Sequence, residues 1–363
     1  MLTGSRRTSL GANRNRGKAT AALVAALLLA TSAASAAVEP LCTPGLRVNE
    51  EKFVSIGGIE QWITIKGERC ENPIILFLHG GPGNALSPYA DAMFGHWTHD
   101  FTLVQWDQRG AGRTFGKNPE TASAPLTLEQ MTRDGLAVAE YVSRRAGNRK
   151  VILTGGSWGS ILGVMMAKAR PELFEAYLGV AHVVNKRENQ AATYEQVLAL
   201  ARAAADEEST TALTEMGAPP WKNPRSPGIV RRITRKYEGQ STVAAPAAWT
   251  RPAADYASPE ALAEAEAADD YSFVQFVGMN DDGMFSKVDL PAMGLEFSIP
   301  LYFLHGAQDL VTVPEIARRY FDSITAPDKA FVLVPEAGHD PNAATVDAMY
   351  RLLKTRLQPL LKR

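Results

Sequence analysis

Apolar residues in this chain gather in short unbroken runs, each stopped by a polar or glycine-rich turn. Pro73–Leu78, Phe101–Trp106, Val151–Thr154, Phe174–Val180, Pro300–Leu304 and Ala330–Val334 are the clearest. A strand buried on both faces reads as a continuous apolar run, so these runs predict a mostly parallel sheet covered on both sides. Lys52–Ser55 and Glu60–Lys66 differ. Ile63 and Ile65 alternate with polar neighbours, and Gly57-Gly58 separates the two segments. That pattern predicts a half-exposed antiparallel pair. Helical stretches fall between the buried strands. Thr127 with Gln130 forms a capping-box pattern for a helix running to about Arg145. Ile161–Arg170, Pro314–Ile324 and a last stretch from about Asn342 to Leu361 complete the alternation.

The alternation stops between about Val184 and Glu296. Alanine-rich helical stretches, Ala191–Ala204 and Pro259–Ala268, mix there with Pro- and Trp-containing loops at 218–221 and 244–252. Tyr271, Phe273, Phe276, Met279 and Met284 cluster near the end of this region. The reading is an α/β core in two parts, residues 37–183 and 297–363, interrupted by a helical cap insertion at 184–296.

Three turns after core strands carry chemistry. Val151–Thr154 runs into Gly155-Gly156-Ser157-Trp158-Gly159, and a helix follows. Gly-x-Ser-x-Gly between a strand and a helix is the setting of a nucleophile elbow, whose tight turn leaves no room for side chains two residues either side of the serine. Asp309 follows the Pro300–Leu304 strand, and His339 follows the last one. The order Ser157, Asp309, His339 is the order of the α/β-hydrolase fold. A serine hydroxyl needs a base, and His339 would take its proton while Asp309 holds the imidazole tautomer. His79-Gly80-Gly81-Pro82-Gly83 ends an earlier strand. Its backbone can approach a ligand closely, so Gly81 N–H and Trp158 N–H are the expected oxyanion donors.

The other five of the six histidines are read as structural or peripheral, His79 as a brace for its loop. His96 and His99 lack cysteine or carboxylate company, so no metal site is expected. Asp107, Arg109 and Arg113 read as a structural charge network.

Composition changes this picture at the N-terminus. Arg6, Arg7, Arg14, Arg16 and Lys18 precede an apolar run, Ala19–Ala30, and the small residues Ala34-Ser35-Ala36. This is the pattern of an export signal peptide over residues 1–36, too short in its apolar part to anchor the protein in a membrane. Ser5-Arg6-Arg7 leaves twin-arginine and general export both open. Without that segment the 38 basic residues fall by five, to 33 against 39 acidic ones, a net charge of −6. No basic patch for nucleic acid remains. Cys42 and Cys70 are the two cysteines. In an oxidising compartment they would form one disulfide worth roughly 3–4 kcal/mol; two unrelated buried thiols are the alternative. The expected location is periplasmic or secreted.

His79-Gly80-Gly81-Pro82-Gly83, Asp107-Gln108-Arg109-Gly110-x-Gly112-Arg113 and Gly155-Gly156-Ser157-Trp158-Gly159-Ser160 together resemble the proline iminopeptidase group of α/β-hydrolases. The resemblance covers the core, about residues 50–183 and 297–350. It implies the triad Ser157, Asp309 and His339, an oxyanion hole from Gly81 and Trp158, no cofactor, and release of an N-terminal residue from a short peptide or aminoacyl amide. Members of the group hold the substrate amine with cap glutamates. Here Glu188 and Glu195 are the candidates, although no aromatic–glutamate motif of the family type stands beside them. The rival function is a carboxylesterase or lactonase, which would use the same triad beneath an apolar cap. A non-catalytic binding protein would have lost a triad member, and none is lost. The sequence leaves the oligomeric state open.

Overall fold

The computed structural model describes residues 39–119 and 124–357. The expected signal segment, residues 1–36, lies outside them. Among the described residues no helix is long and apolar enough to cross a membrane.

Eight strands form one sheet in the order β1-β2-β4-β3-β5-β6-β7-β8. They are β1 (Val48–Ile56), β2 (Ile59–Gly67), β3 (Ile74–Leu78), β4 (Thr102–Trp106), β5 (Val151–Gly156), β6 (Phe174–Val180), β7 (Leu301–Gly306) and β8 (Lys329–Val334). β2 is antiparallel to both β1 and β4; every pairing from β4 to β8 is parallel. β3 and β4 are buried at every residue. Successive side chains go to opposite faces, which splits the core in two. Leu76, Leu78 and Leu153 pack in one cluster with Met131, Val138 and Val142 from α3 (Leu128–Arg145), Ile161 and Val164 from α4 (Trp158–Ala169), and Ile316 and Phe321 from α9 (Pro314–Ser323). Ile75, Phe77 and Ile152 pack in the other, with Met93 and Phe94 from α1 (Ala90–Phe94) and Val346 and Met349 from α10 (Ala343–Leu352).

The N-terminal hairpin is stapled. Cys42 and Cys70 are bonded, with Cα atoms 5.7 Å apart. Arg149 donates to the Cys70 carbonyl at 2.8 Å, tying the bridge to the edge of β5. The buried Arg145 guanidinium holds Glu50 of β1 at 2.6 and 2.7 Å.

Thr127 caps α3 by accepting from Gln130 N–H. The reciprocal half of the expected capping box is not made. The Gln130 amide donates instead to Asp134, whose carboxylate also receives Arg109 at 2.7 Å. Arg109 is thus a structural residue. Arg113, on the short helix α2 (Gly112–Lys117), separates from it, lying over the rings of Trp62 and Tyr256 at 4.6 and 3.9 Å and donating to the Asp255 carbonyl.

Between β6 and β7 the chain is helical. α5 (Lys186–Ala203) and α8 (Pro259–Val277) match the two expected stretches, extended at their ends. α6 (Glu207–Met216) and α7 (Ser226–Ser241) were not expected as helices. α7 begins Ser-Pro-Gly and carries Ile229, Val230, Ile233 and Thr234, which are weak helix formers. Tertiary packing outweighs that weakness. Val230, Ile233 and Tyr237 join Tyr194, Val197, Leu213 and Trp221 in a separate buried cluster.

Candidate active site

The elbow is built by exclusion. Ser157 lies between β5 and α4 with φ of +51°, in the left-handed half of backbone space. A Cβ on Gly155 would come 2.2 Å from the Gly159 carbonyl oxygen, and a Cβ on Gly159 would come 2.1 Å from that of Leu78. Only glycine fits either position. The turn is pinned by Ser157 N–H donating to the Val180 carbonyl at 3.0 Å.

Two other strand ends bring their residues to this serine. His339 Nε2 is 3.0 Å from Ser157 Oγ. His339 Nδ1 lies 3.1 and 3.2 Å from the two Asp309 carboxylate oxygens. Asp309 is buried, and its remaining acceptor capacity is filled by the backbone N–H groups of Val311 and Thr312 and by the Thr312 hydroxyl. Burial opposes its ionisation, yet the His339 and His305 rings and the Thr312 hydroxyl hold it well below the ordinary carboxylate range. For His339, burial disfavours the cation. The charge and hydrogen bond of Asp309 outweigh that and raise its pKa above the usual histidine value. The arrangement is suited to taking a proton from Ser157 and holding it.

The loop after β3 lies against the elbow. A Cβ on Gly80 would meet Ser157 Cβ at 3.5 Å. Gly81 has φ of +107°, and its bond to Pro82 is cis. His79 is buried and braces the loop: its Nε2 accepts from Gln108 N–H at 3.1 Å and its Nδ1 contacts the Gly80 carbonyl. Burial lowers its pKa to about 4, so the ring is neutral. Gln108 completes the brace by donating to the His79 carbonyl and accepting from the Trp158 indole at 2.8 Å. One glutamine therefore couples the two backbone segments that carry Gly81 N–H and Trp158 N–H. Asp107 supports the same loop. Its carboxylate accepts from the Ser87 hydroxyl and from Arg113 N–H, and burial pushes its pKa up to about 6.

Ser157 and His339 open into a cavity of about 720 Å³. Phe273, Phe276 and Phe285 line one part of it, with the Phe276 and Phe285 rings stacked at 4.6 Å. Arg231, Arg232, Arg235, Asp269 and Asp340 line it too. Glu188 and Glu195, the expected amine anchors, do not. Glu188 is exposed and pairs with Arg319 at 3.0 Å; Glu195 is exposed. Both sit on the outer side of α5, whose Asn189, Gln190 and Thr193 face the cavity instead. An acid that sequence reasoning did not single out, Asp269 on α8, does line the cavity. Its Cα would lie 2.8 Å from a Cβ on Gly83, so it stands directly over the glycine loop. Burial and then Asp270 raise its pKa, and Arg235 opposes them. No motif marks it: Ala267-Ala268-Asp269-Asp270 looks like any solvated helix face.

Among the described residues, no group of three or more His, Cys, Asp or Glu side chains is disposed to hold a metal.

A model of the alpha/beta hydrolase family matches residues 75–352. A probable aminopeptidase of Bacillus subtilis, YbaC, is 27% identical over 300 residues, spanning 80% of this chain and 91% of that protein. The proline iminopeptidase of Neisseria gonorrhoeae is 32% identical over 120 residues, 33% of this chain and 36% of that protein. Among solved structures, the proline iminopeptidase of Mycobacterium smegmatis superposes with a TM-score of 0.61 at 17% identity, covering 86% of this chain and 98% of that one. VinJ superposes equally well, TM-score 0.61 at 16% identity, over 88% and 99%. At these identities the superpositions speak for the fold alone.

Proposed function

The chain belongs to the alpha/beta hydrolase family, and within it we propose an exported serine aminopeptidase that releases the N-terminal residue of short peptides or aminoacyl amides. The observation that carries the chemistry is the Ser157–His339–Asp309 relay, with 3.0 Å from hydroxyl to imidazole and 3.1 Å from imidazole to carboxylate. Likeness to a probable aminopeptidase over most of both chains supports the substrate class.

In this reading His339 Nε2 takes the Ser157 proton as Oγ attacks the scissile carbonyl. The oxyanion is met by Gly81 N–H and Trp158 N–H, and Trp158 stands at the start of α4, where the helix dipole favours negative charge. His339 then gives the proton to the departing nitrogen, leaving an acyl-enzyme on Ser157. Water, deprotonated by the same histidine, attacks that ester. The free acid leaves and Ser157 regains its proton. No cofactor takes part. Asp269, over the glycine loop, is the carboxylate for the substrate's free amine, a charge-assisted contact.

The stacked phenylalanines favour a second reading, a carboxylesterase or lactonase using the same relay on a small apolar ester. One experiment separates the two. The mature protein is given a proline aryl-amide with a free amine, its N-acetyl twin, and a short acyl aryl-ester. Cleavage of the free-amine amide but not its acetylated twin is expected, with Asp269→Asn raising KM for it. Cleavage of the ester with both amides untouched would replace the aminopeptidase reading by the esterase one. Export is supported by the residue 1–36 pattern and the Cys42–Cys70 bridge. It predicts a mature N-terminus near Ala37 in the protein recovered outside the cytoplasm.

A further inference from the structure

Helix α7 gives the cavity an arginine-rich wall. Arg231, Arg232 and Arg235 all line it, and Arg231 and Arg235 stand one turn apart on the same side of the helix. The three are not equally occupied. Arg231 is committed, with one nitrogen 2.6 Å from Asp340 Oδ1 and another 3.4 Å from Glu238 Oε2. Arg235 touches Asp340 only at 3.4 Å, and both side chains are more than half exposed. Such a pair is weak and exchanges readily. Arg232 has no ion-pair partner among the described residues.

This wall lies on one particular side of the reaction. Asp340 follows His339 directly, so the arginines that hold it flank the residue that protonates the leaving group. Asp269, on α8, stands over the glycine loop, and Phe273 and Phe276 of the same helix line the cavity, Phe276 against the Trp158 ring. Acid on the acyl side and base on the departing side match a substrate charged at both ends. In a dipeptide the free carboxylate is attached one carbon away from the nitrogen that His339 protonates. It therefore arrives where α7 presents its guanidinium groups, which pair with carboxylates in two-pronged fashion.

We propose that Arg232 and Arg235 form a subsite for the C-terminal carboxylate of the substrate, making very short peptides with a free C-terminus, dipeptides first, the preferred class. Resting as it does on the aminopeptidase reading, the subsite adds to it a requirement at the opposite end of the substrate.

The test compares alanyl-glycine with alanyl-glycine amide, and prolyl-glycine with its amide, alongside an alanine aryl-amide that has no carboxylate. Wild-type protein is expected to prefer each free acid over its amide by about tenfold in kcat/KM, chiefly through KM. In Arg232→Gln/Arg235→Gln that acid-to-amide ratio falls to near one, and Arg232→Lys, which keeps the charge without the fork, retains part of it. Because the readout is a ratio within one protein, a general loss of folded enzyme does not imitate it. Equal rates for acid and amide in wild-type protein, with the aryl-amide cleaved, would overturn the subsite and leave the aminopeptidase reading standing. So would a ratio that survives the double substitution. Failure to cleave any aminoacyl substrate would overturn the aminopeptidase reading and the subsite with it.

Discussion

The carboxylate of Glu238, near the end of α7, accepts a hydrogen bond from the backbone N–H of Leu310 at 2.8 Å. Leu310 follows Asp309, and Glu238 also backs the other turn: a Cβ on Gly338 would lie 3.2 Å from its Cδ. One side chain from the inserted helices thus braces the turns that carry both the acid and the histidine. It is buried, and burial together with Asp309 raises its pKa. Replacing Glu238 by Ala leaves a backbone donor unpaired and loosens the Asp309 turn. The expected result is a drop of about tenfold in kcat with KM little changed. Gln keeps an acceptor and should restore most of the rate. Steady-state kinetics on an aminoacyl aryl-amide, with thermal melts of both variants, would decide it. An Ala variant with full kcat would mean that the turn holds itself.

The relay makes a pH-dependent prediction with a definite sign. In the proposed mechanism His339 is a base only when neutral, and Asp309 raises its pKa. The acid limb of the kcat/KM profile should therefore lie above the ordinary histidine value of about 6.5. Asp309→Asn removes the charge that supports the imidazolium. Its limb should move to lower pH, while the plateau falls by about 10⁴-fold. A variant limb that stays in place would assign the titration to another group. Ser157→Ala should cost more, on the order of 10⁶-fold in kcat.

The glycine loop predicts a rate defect without a binding defect. A Cβ on Gly81 would come 2.8 Å from both the Gly83 and the Asn84 backbone nitrogens, at a φ of +107°. Gly81→Ala must shift the loop and with it the Gly81 N–H. If that donor meets the oxyanion, kcat should fall by about 10²–10³-fold while KM holds. Unchanged kcat in a folded variant would place the second donor elsewhere in the loop.

Paired replacement of Cys42 and Cys70 by Ser should cost roughly 3–4 kcal/mol of stability, a melting shift on the order of 5–10 °C, and leave kcat/KM unaltered at 25 °C. Calorimetry beside kinetics would check both halves.

Most of the sheet and the relay could be read from the chain, and the reason is physical. Strands buried on both faces have only one way to be written, as apolar runs. The elbow's steric demand leaves no choice but glycine at 155 and 159. Loop-bracing by His79 was legible for the same reason, since a histidine between a buried strand and a glycine loop has little to face but backbone. The inserted helices were harder. α7 is held by the buried Val230, Ile233 and Tyr237 rather than by helix propensity, so its sequence understates it. Glu188 and Glu195 were candidates because they stand near the start of the inserted segment, yet both are exposed and neither lines the cavity. Which face of α5 looks inward is decided by packing against the core, and a sequence without strong amphipathic contrast does not announce it. Asp269 is exposed like Asp270 beside it, and only its place over Gly83, at the cavity, sets it apart.

The hairpin enclosed by the Cys42–Cys70 bridge also sets an order of events. β1 pairs with β2 through the shortest of loops, and the bridge joins cysteines 28 residues apart on either side of both strands. Hairpin pairing of this kind forms on the microsecond scale, before the bridge itself, which oxidation makes in seconds to hours. The pairing of β6 with β7 joins Tyr177 to Leu301 and must close over the whole inserted segment, which is the slow kind of contact. Asp309 and His339 lie beyond β7. The sheet's edge can therefore pair while Ser157 still lacks its base, because Asp309 and His339 join it only across the long-range β6–β7 closure. A chain that is still folding carries the serine but not the reactivity.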